Sequence, residues 1–177
     1  ADVWAALHCS HFTEPGAAAP RLILQVQDIS ARRKAEQNLH DLAFTDTLTG
    51  LPNRRRFQDV LAQAVASAKA DPSQRFAVLY LDFDRFKLIN DSLGHGAGDQ
   101  FLVHVTQRVQ QRLRAHDVVA RLGGDEFAIL MRCYQHDDAV LRLADRLLQT
   151  LAEPYTLANA QISSSASIGI TTSAIGY

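Results

Sequence analysis

The sequence predicts an α+β fold in which helices flank a central, mostly antiparallel sheet, preceded by a β-hairpin and a linker helix. Short apolar runs of strand length alternate with longer segments whose apolar residues recur at helical spacing. A Gly-Gly pair, Gly123-Gly124, joins two of the apolar runs in the manner of a tight hairpin. With 177 residues, 47% of them hydrophobic, the chain can form one domain with a core and a smaller appendage.

The N-terminal segment reads as a pair of strands. The first covers residues 3–13, a turn rich in Pro, Gly and Ala follows at 14–20, and the second covers residues 21–29 with alternating apolar residues. Two strands alone are marginally stable in water. We therefore expect this hairpin to close a sheet whose other strands lie upstream.

A charged helix is predicted next, from Ser30 to Leu42, because this segment lacks Gly and Pro and opens with Ser30 as a cap. Ile29, Leu39 and Leu42 give it only a thin apolar seam. Such a seam suits a two-stranded coiled coil, and a solvated linker helix is the alternative. The segment is too short to decide between them.

The rest of the chain has a compact α/β pattern. Helices are predicted over 54–70, 98–114 and 137–151, and strands over 75–83, 118–131 (interrupted by the Gly-Gly turn) and 161–172.

Acidic residues follow two of these strands. Asp82 and Asp84 end a buried strand on one face, and they either share a site or cap the next helix. Asp125 and Glu126 follow the Gly-Gly turn, which read alone is an ordinary solvated turn. If the hairpin pairs with the Asp82 strand, the carboxylates converge at one sheet edge. Clustered hard oxygen ligands suit Mg²⁺ or Mn²⁺.

Polar residues just beyond these acids suit a nucleotide. Lys87 is a candidate phosphate cation, and Asn90 and Asp99 flank the glycine-rich segment SLGHGAG. Glycines let a ligand approach the backbone, and the amide and carboxylate side chains suit a purine edge.

These motifs resemble the GGDEF family of diguanylate cyclases from residue 46 to about residue 172. In chain order they are DTLTGLPNR at 46–54, DFDRFKLIND at 82–91, GH at 94–95, GD at 98–99, RLGGDEF at 121–127 and SIGI at 167–170. The resemblance implies a palm-like nucleotidyl cyclase fold. It also implies that two GTP molecules condense into cyclic di-GMP and pyrophosphate at the interface of a homodimer.

The resemblance also implies roles for individual residues. Asp82, the carbonyl of Phe83, Asp125 and Glu126 would hold the metal, and Asp125 and Glu126 would act in catalysis. Substrate-binding positions would be Phe86, Lys87, Asn90, Asp99, Gly123 and Gly124. Asp84 is left as a structural residue, and His95 is expected to pack or hydrogen-bond near the pocket.

An RxxD motif, Arg114-Ala115-His116-Asp117, stands shortly before the GGDEF motif. It resembles the inhibitory site at which the product of this family stops the enzyme, and the planar fork of arginine suits phosphate and guanine. The alternative is a helix-end arginine with a capping aspartate.

The N-terminal strands, with DISARR at 28–33, resemble the end of a PAS sensor domain. The predicted organisation is therefore the last strands of a PAS-like domain at 1–29, a linker helix at 30–43 and the GGDEF domain at 44–177. Family members continue past the final strand with a helix bearing Tyr-Arg-Ala-Lys, so we expect the GGDEF domain to lack its C-terminal end here.

Composition limits the partners and the location. A net charge of −1 gives no global attraction to nucleic acid, Cys9 and Cys133 form no CxxC motif, and no apolar run is long enough to span a membrane. We expect a cytoplasmic location, with a membrane anchor possible in a longer protein.

Rival functions are a GTP-binding module that controls an adjacent phosphodiesterase domain, and a cyclic di-GMP receptor.

Overall fold

The computed structural model describes residues 3–12, 21–157 and 160–175. It divides into two units, Ala1–Ala43 and Phe44–Tyr177. Among the described residues, no helix is both long and apolar enough to cross a lipid bilayer.

The first unit contains the predicted hairpin and helix. Strands β1 (Ala5–Phe12) and β2 (Arg21–Asp28) pair antiparallel, and helix α1 spans Ser30–Phe44. The predicted turn at 14–20 lies outside the described residues. The assignment of this hairpin to a sensor domain stays a prediction.

The start of α1 differs in detail from the expected serine cap. The Asp28 carboxylate accepts a hydrogen bond from the Ser30 backbone amide at 2.8 Å. The Ser30 hydroxyl instead accepts a hydrogen bond from the Trp4 amide at 2.9 Å. The Asp28 side chain therefore caps the helix, and the Ser30 hydroxyl holds Trp4, the residue before β1, at the start of the helix.

The second unit opens with a tight turn and helix α2 (Arg54–Ala70), whose predicted bounds are confirmed. The helix begins where it does because the Asn53 side chain accepts a hydrogen bond from the Arg56 amide, as an N-cap residue should. Strand β3 (Phe76–Phe83) follows, then helices α3 (Phe86–Leu93) and α4 (His95–Gln110).

The remaining elements complete the sheet and its outer layer. Strands β4 (Val118–Gly123) and β5 (Glu126–Arg132) form the predicted hairpin, and helix α5 covers the predicted Asp137–Leu151. After α5 come the short strands β6 (Tyr155–Leu157) and β7 (Ala160–Ile162), then β8 (Ala166–Thr172) and a 3₁₀ turn.

The central sheet has the strand order β4-β5-β3-β8, and every neighbouring pair is antiparallel. One face packs against α2 through Phe57, Val60 and Ala64. The other face packs against α4 and α5, with Phe101 and Leu147 fully buried. The predicted α+β class is confirmed. Burial of a large apolar side chain contributes roughly 1.5–3 kcal/mol, so this two-sided core fixes the sheet that carries the site.

Three local features differ from the prediction. Helix α3 was not predicted, because its polar residues Asn90, Asp91 and Ser92 mask the apolar face that it packs onto α4. Helix α4 begins at His95 and ends at Gln110, which is earlier at both ends than the predicted 98–114. The predicted strand at 161–172 is interrupted into β7 and β8.

Candidate functional site

The turn of the β4–β5 hairpin is formed by Gly124 and Asp125, while Gly123 pairs with Glu126 across the strands. A register shift between Arg121 and Gly123 moves the turn by one residue from the expected Gly-Gly position. Gly123 and Gly124 have φ angles of 144° and 54°, which side-chain-bearing residues rarely adopt. The backbone conformation, rather than crowding, therefore requires glycine here, and it places Asp125 in the turn itself.

The sheet register brings two of the predicted acids together. Leu81 pairs with Phe127, so one further step of the antiparallel ladder sets Asp82 opposite Glu126. Burial raises the pKa of Asp125, and the charges of Asp82 and Glu126 raise it further. The charge of Asp82 thus acts on Asp125 although Asp82 lies 43 positions from Asp125 and 44 from Glu126 in the sequence.

Serine side chains at the start of β8 hold Asp84. Its carboxylate accepts hydrogen bonds from the hydroxyl groups of Ser165, at 2.6 Å, and Ser167, at 3.2 Å. Its amide also donates to the Ser165 carbonyl at 3.0 Å. Asp84 therefore fastens the start of β8 to the end of β3. The structural role left for Asp84 fits these contacts, and a site shared by Asp82 and Asp84 stays a prediction.

Glu126 is held by two side chains to which the sequence assigned no role. Arg54 donates to the Glu126 carboxylate at 3.0 Å and to the Leu122 carbonyl at 3.1 Å, so it bridges both arms of the hairpin. A hydrogen bond with Glu126 and partial burial raise the pKa of the Tyr80 hydroxyl. The position of Arg54 in the DTLTGLPNR motif was the one sequence signal for its role at the site. No sequence signal marked Tyr80.

A second ion pair, between Arg121 and Asp46, also holds the hairpin. Arg121 contacts both carboxylate oxygens of Asp46 at 3.1 Å and donates to the Gly124 carbonyl at 2.9 Å. Burial raises the pKa of Asp46, but hydrogen bonds from Thr49 and Arg121 outweigh it and hold that pKa below its ordinary value. The first family motif and the GGDEF motif are therefore joined directly.

The corner between α3 and α4 holds four of the six predicted substrate-binding residues, and the other two, Gly123 and Gly124, lie in the hairpin. The Phe86 ring packs near Phe101, with centroids 5.9 Å apart, and the residue is half-buried. Lys87 is exposed in the first turn of α3, where amide groups lack helical acceptors. Asn90 is half-buried, and Asp99 is exposed on α4.

His95, which was expected to pack or hydrogen-bond near the pocket, begins α4 with an exposed side chain. The structure therefore places it at the surface of this corner rather than in the core.

The carboxylate cluster suits a hard divalent cation. Within the described part of the chain, no three His, Cys, Asp or Glu side chains already form a closed metal-binding group. Asp82 and Asp125 with a backbone carbonyl would form an open set, which phosphate oxygens and water can complete. A cation would also relieve the mutual repulsion that raises the pKa of Asp125.

The RxxD motif lies beyond the end of α4. Arg114 is exposed, whereas only 2% of the Asp117 side chain is accessible. The Asp117 carboxylate accepts hydrogen bonds from the amides of Arg114, at 3.0 Å, and Arg132, at 3.4 Å. Arg114 and Asp117 line a groove of about 430 Å³, together with Leu51 and Pro52. Asp117 shapes the turn, and Arg114 is the group of the pair that can reach a ligand without rearrangement.

The fold and the carboxylate hairpin define an α+β domain with acidic groups at one edge of its sheet, and comparison with known proteins identifies its family. Residues 43–176 match the model of the family described as diguanylate cyclase, GGDEF domain. The chain belongs to the GGDEF family of diguanylate cyclase domains, which confirms the resemblance.

Individual relatives agree with this assignment. The bifunctional diguanylate cyclase/cyclic di-GMP phosphodiesterase MucR of Pseudomonas aeruginosa is 44% identical over 77% of this chain and 20% of its own length. The diguanylate cyclase TpbB of the same species is 41% identical over 84% of this chain and 34% of its own length. The chain thus spans about a fifth to a third of these relatives.

Solved structures agree as well. The GGDEF domain of TpbB superposes with a TM-score of 0.69 at 43% identity, covering 72% of this chain and 74% of that one. The coiled coil and GGDEF domain of DgcB from Caulobacter crescentus, in complex with c-di-GMP, gives a TM-score of 0.74 at 25% identity, covering 81% and 76%.

Proposed function

We propose that this domain is a metal-dependent diguanylate cyclase that condenses two GTP molecules into cyclic di-GMP and two pyrophosphates. The observation that carries the proposal is the set of carboxylates at the end of β3 and in the β4–β5 turn, where burial, together with the charges of Asp82 and Glu126, raises the pKa of Asp125. An intact acidic site of this kind supports catalysis rather than binding alone.

Asp82, Asp125 and the carbonyl of Phe83 would hold Mg²⁺ or Mn²⁺, because hard oxygen donors suit these ions. Phe83 is fixed for this role by its ring, which makes edge-on contacts with Phe101 and Phe127. When bound, the cation offsets the charge of the transferred phosphate and lowers the pKa of the attacking hydroxyl.

The phosphates would lie between α3 and the hairpin. Lys87 supplies a positive charge, and the amides of Phe86 and Lys87 supply donors at the start of α3. Space is open around Gly123 and Gly124, where an added Cβ would meet nothing within 4 Å, so a triphosphate can approach that backbone. Asn90 and Asp99 would then read the guanine edge.

The reaction is attack by the 3′-oxygen of one GTP on the α-phosphorus of the other, with pyrophosphate as the leaving group. Glu126 would receive the 3′-hydroxyl proton or add a metal ligand, and its contacts with Arg54 and Tyr80 would orient its carboxylate. Each domain would hold one GTP, so two copies must face each other as a homodimer. The second attack closes the ring.

Arg114 would bind the product and give feedback inhibition. It is exposed at the edge of a groove, and its guanidinium suits both phosphate and guanine. Asp117 contributes mainly by holding the turn that presents Arg114.

The experiment is a reaction of the full chain with GTP and Mg²⁺, with products separated by chromatography. Cyclic di-GMP and pyrophosphate should form, and Asp125→Asn should lower the rate by about a hundredfold or more. Asp84→Asn is the matched control, because Asp84 also ends β3 but bonds to Ser165 and Ser167; this variant should keep most of the activity.

Binding of GTP without any product would instead favour a regulatory module, the rival that the bifunctional relative MucR suggests. Binding of cyclic di-GMP alone would favour a receptor.

A further inference from the structure

We infer that Gly98 is a positioning residue for guanine recognition: the missing side chain at this position is what allows the Asn90 amide to lie against α4 beside Asp99. The inference rests on the proposed function, because it takes Asn90 and Asp99 as the groups that read the base.

The carrying observation is a close approach between α3 and α4. A Cβ atom added to Gly98 would lie 2.9 Å from Cγ of Asn90 and 3.4 Å from its Nδ2, and it would collide with Oδ1. All three atoms belong to one side-chain amide, so that amide lies against the Gly98 backbone. Gly98 itself is buried, and Asn90 is half-buried.

Helical preference does not explain this glycine. Gly98 lies inside α4, where glycine is less favourable than alanine. Its φ angle is also not among the positive values that would require glycine. The reason is therefore the contact with Asn90, and the helix accepts a local cost for it.

The position of Gly98 links both proposed base-reading groups. Asp99 is the next residue in α4, and Asn90 comes from the last turn of α3. A side chain at residue 98 would push the Asn90 amide outward while leaving Asp99 on its helix. The spacing between the two readers would then no longer fit one purine edge.

The same helix offers a matched control. Gly96 is two residues away, and an added Cβ there meets nothing within 4 Å. Gly96→Ala and Gly98→Ala therefore make the same chemical change and the same gain in helix propensity. Only the second change should displace Asn90.

The experiment is a double-mutant cycle in the full chain with 3′-deoxy-GTP, which lacks the attacking hydroxyl and cannot react. Affinities are measured by titration calorimetry for the wild type, Gly96→Ala, Gly98→Ala, Asn90→Ala and the Gly98→Ala, Asn90→Ala double variant. Gly98→Ala should weaken binding about tenfold, the loss expected for roughly one hydrogen bond. Gly96→Ala should bind like the wild type.

The double variant is decisive, because contacting residues are non-additive. Once Asn90→Ala has removed the amide, Gly98→Ala should cost nothing further. The inference is overturned if Gly98→Ala lowers the affinity equally in the wild type and in the Asn90→Ala variant. It is also overturned if Gly98→Ala leaves the affinity unchanged while Asn90→Ala lowers it. In both cases the proposed function stands. If the wild type does not prefer 3′-deoxy-GTP over 3′-deoxy-ATP, the proposed function fails as well.

Folding gives an independent readout. If Gly98→Ala does not fold, adding Asn90→Ala should restore the thermal transition, since the collision is then gone. Failure of that restoration would also contradict the contact.

Discussion

Asp46 is predicted to hold the hairpin in place from outside the GGDEF motif. Asp46→Ala removes hydrogen bonds from the Thr49 amide at 2.9 Å, the Thr49 hydroxyl at 2.6 Å and Arg121 at 3.1 Å. It also leaves the Arg121 side chain, which is only 13% exposed, without its counter-charge. The change thus acts on both the opening motif and the hairpin.

Hydrogen bonds to charged groups contribute about 1.5–3 kcal/mol each, but solvent weakens the pair because the Asp46 side chain is 21% exposed. We therefore expect Asp46→Ala to lower the free energy of unfolding by about 2–3 kcal/mol at neutral pH. Product formation should fall too, because Arg121 no longer steadies the Gly124 carbonyl at the turn.

The assay is urea denaturation of the full chain at several pH values. The pKa of Asp46 lies below its ordinary value of 3.8, so its contribution is present above that value and is lost as the pH falls through the folded-state pKa. The difference between Asp46→Ala and the wild type should shrink accordingly in acid.

Asp71→Ala is the control, since its exposed carboxylate accepts a similar hydrogen bond from the Ser73 amide at 2.9 Å. Equal shifts of the urea midpoint for the two variants would refute the reasoning.

Three further predictions concern the site, its regulation and the linker. Asp125→Asn should raise the thermal midpoint of the metal-free protein at neutral pH, because burial and nearby charges raise the pKa of Asp125 and its ionised form destabilises the folded state. This gain in stability should vanish as the pH falls through that pKa and Asp125 becomes protonated, which calorimetry at several pH values would detect. Arg114→Ala should leave the initial rate near normal but relieve inhibition by added cyclic di-GMP, and unchanged inhibition would remove Arg114 from the product site. Insertions into α1 (Ser30–Phe44) should make activity rise and fall with the helical period, at about 100° per residue; a smooth dependence on length would indicate a flexible tether.

Helices α2 and α5 could be read from sequence because local signals sufficed. Asn53 caps α2, and apolar spacing marks α5, so both bounds were predicted correctly. The short strands β6 and β7 carry only three residues each and give no periodic signal. Helix α3 was missed because it is short and its polar residues resemble a loop.

The candidate site was predicted in outline from its motifs but not in its contacts. Nothing local marks Ser165 and Ser167 as the partners of Asp84, since they lie 81 and 83 residues away. The role of Arg54 depends on a partner 72 residues away. The one-residue shift that puts Asp125 in the turn depends on a strand irregularity, which side-chain patterns do not reveal.

The two ion pairs on the hairpin differ in solvent exposure, so added salt should weaken one more than the other. Arg54 and Glu126 are 55% and 40% exposed, so their attraction contributes little to stability and is weakened by salt. Arg121 and Asp46 are 13% and 21% exposed and are screened less. Added salt should therefore release the Glu126 carboxylate while the hairpin itself stays anchored, so the orientation of this acid can be varied without unfolding its support.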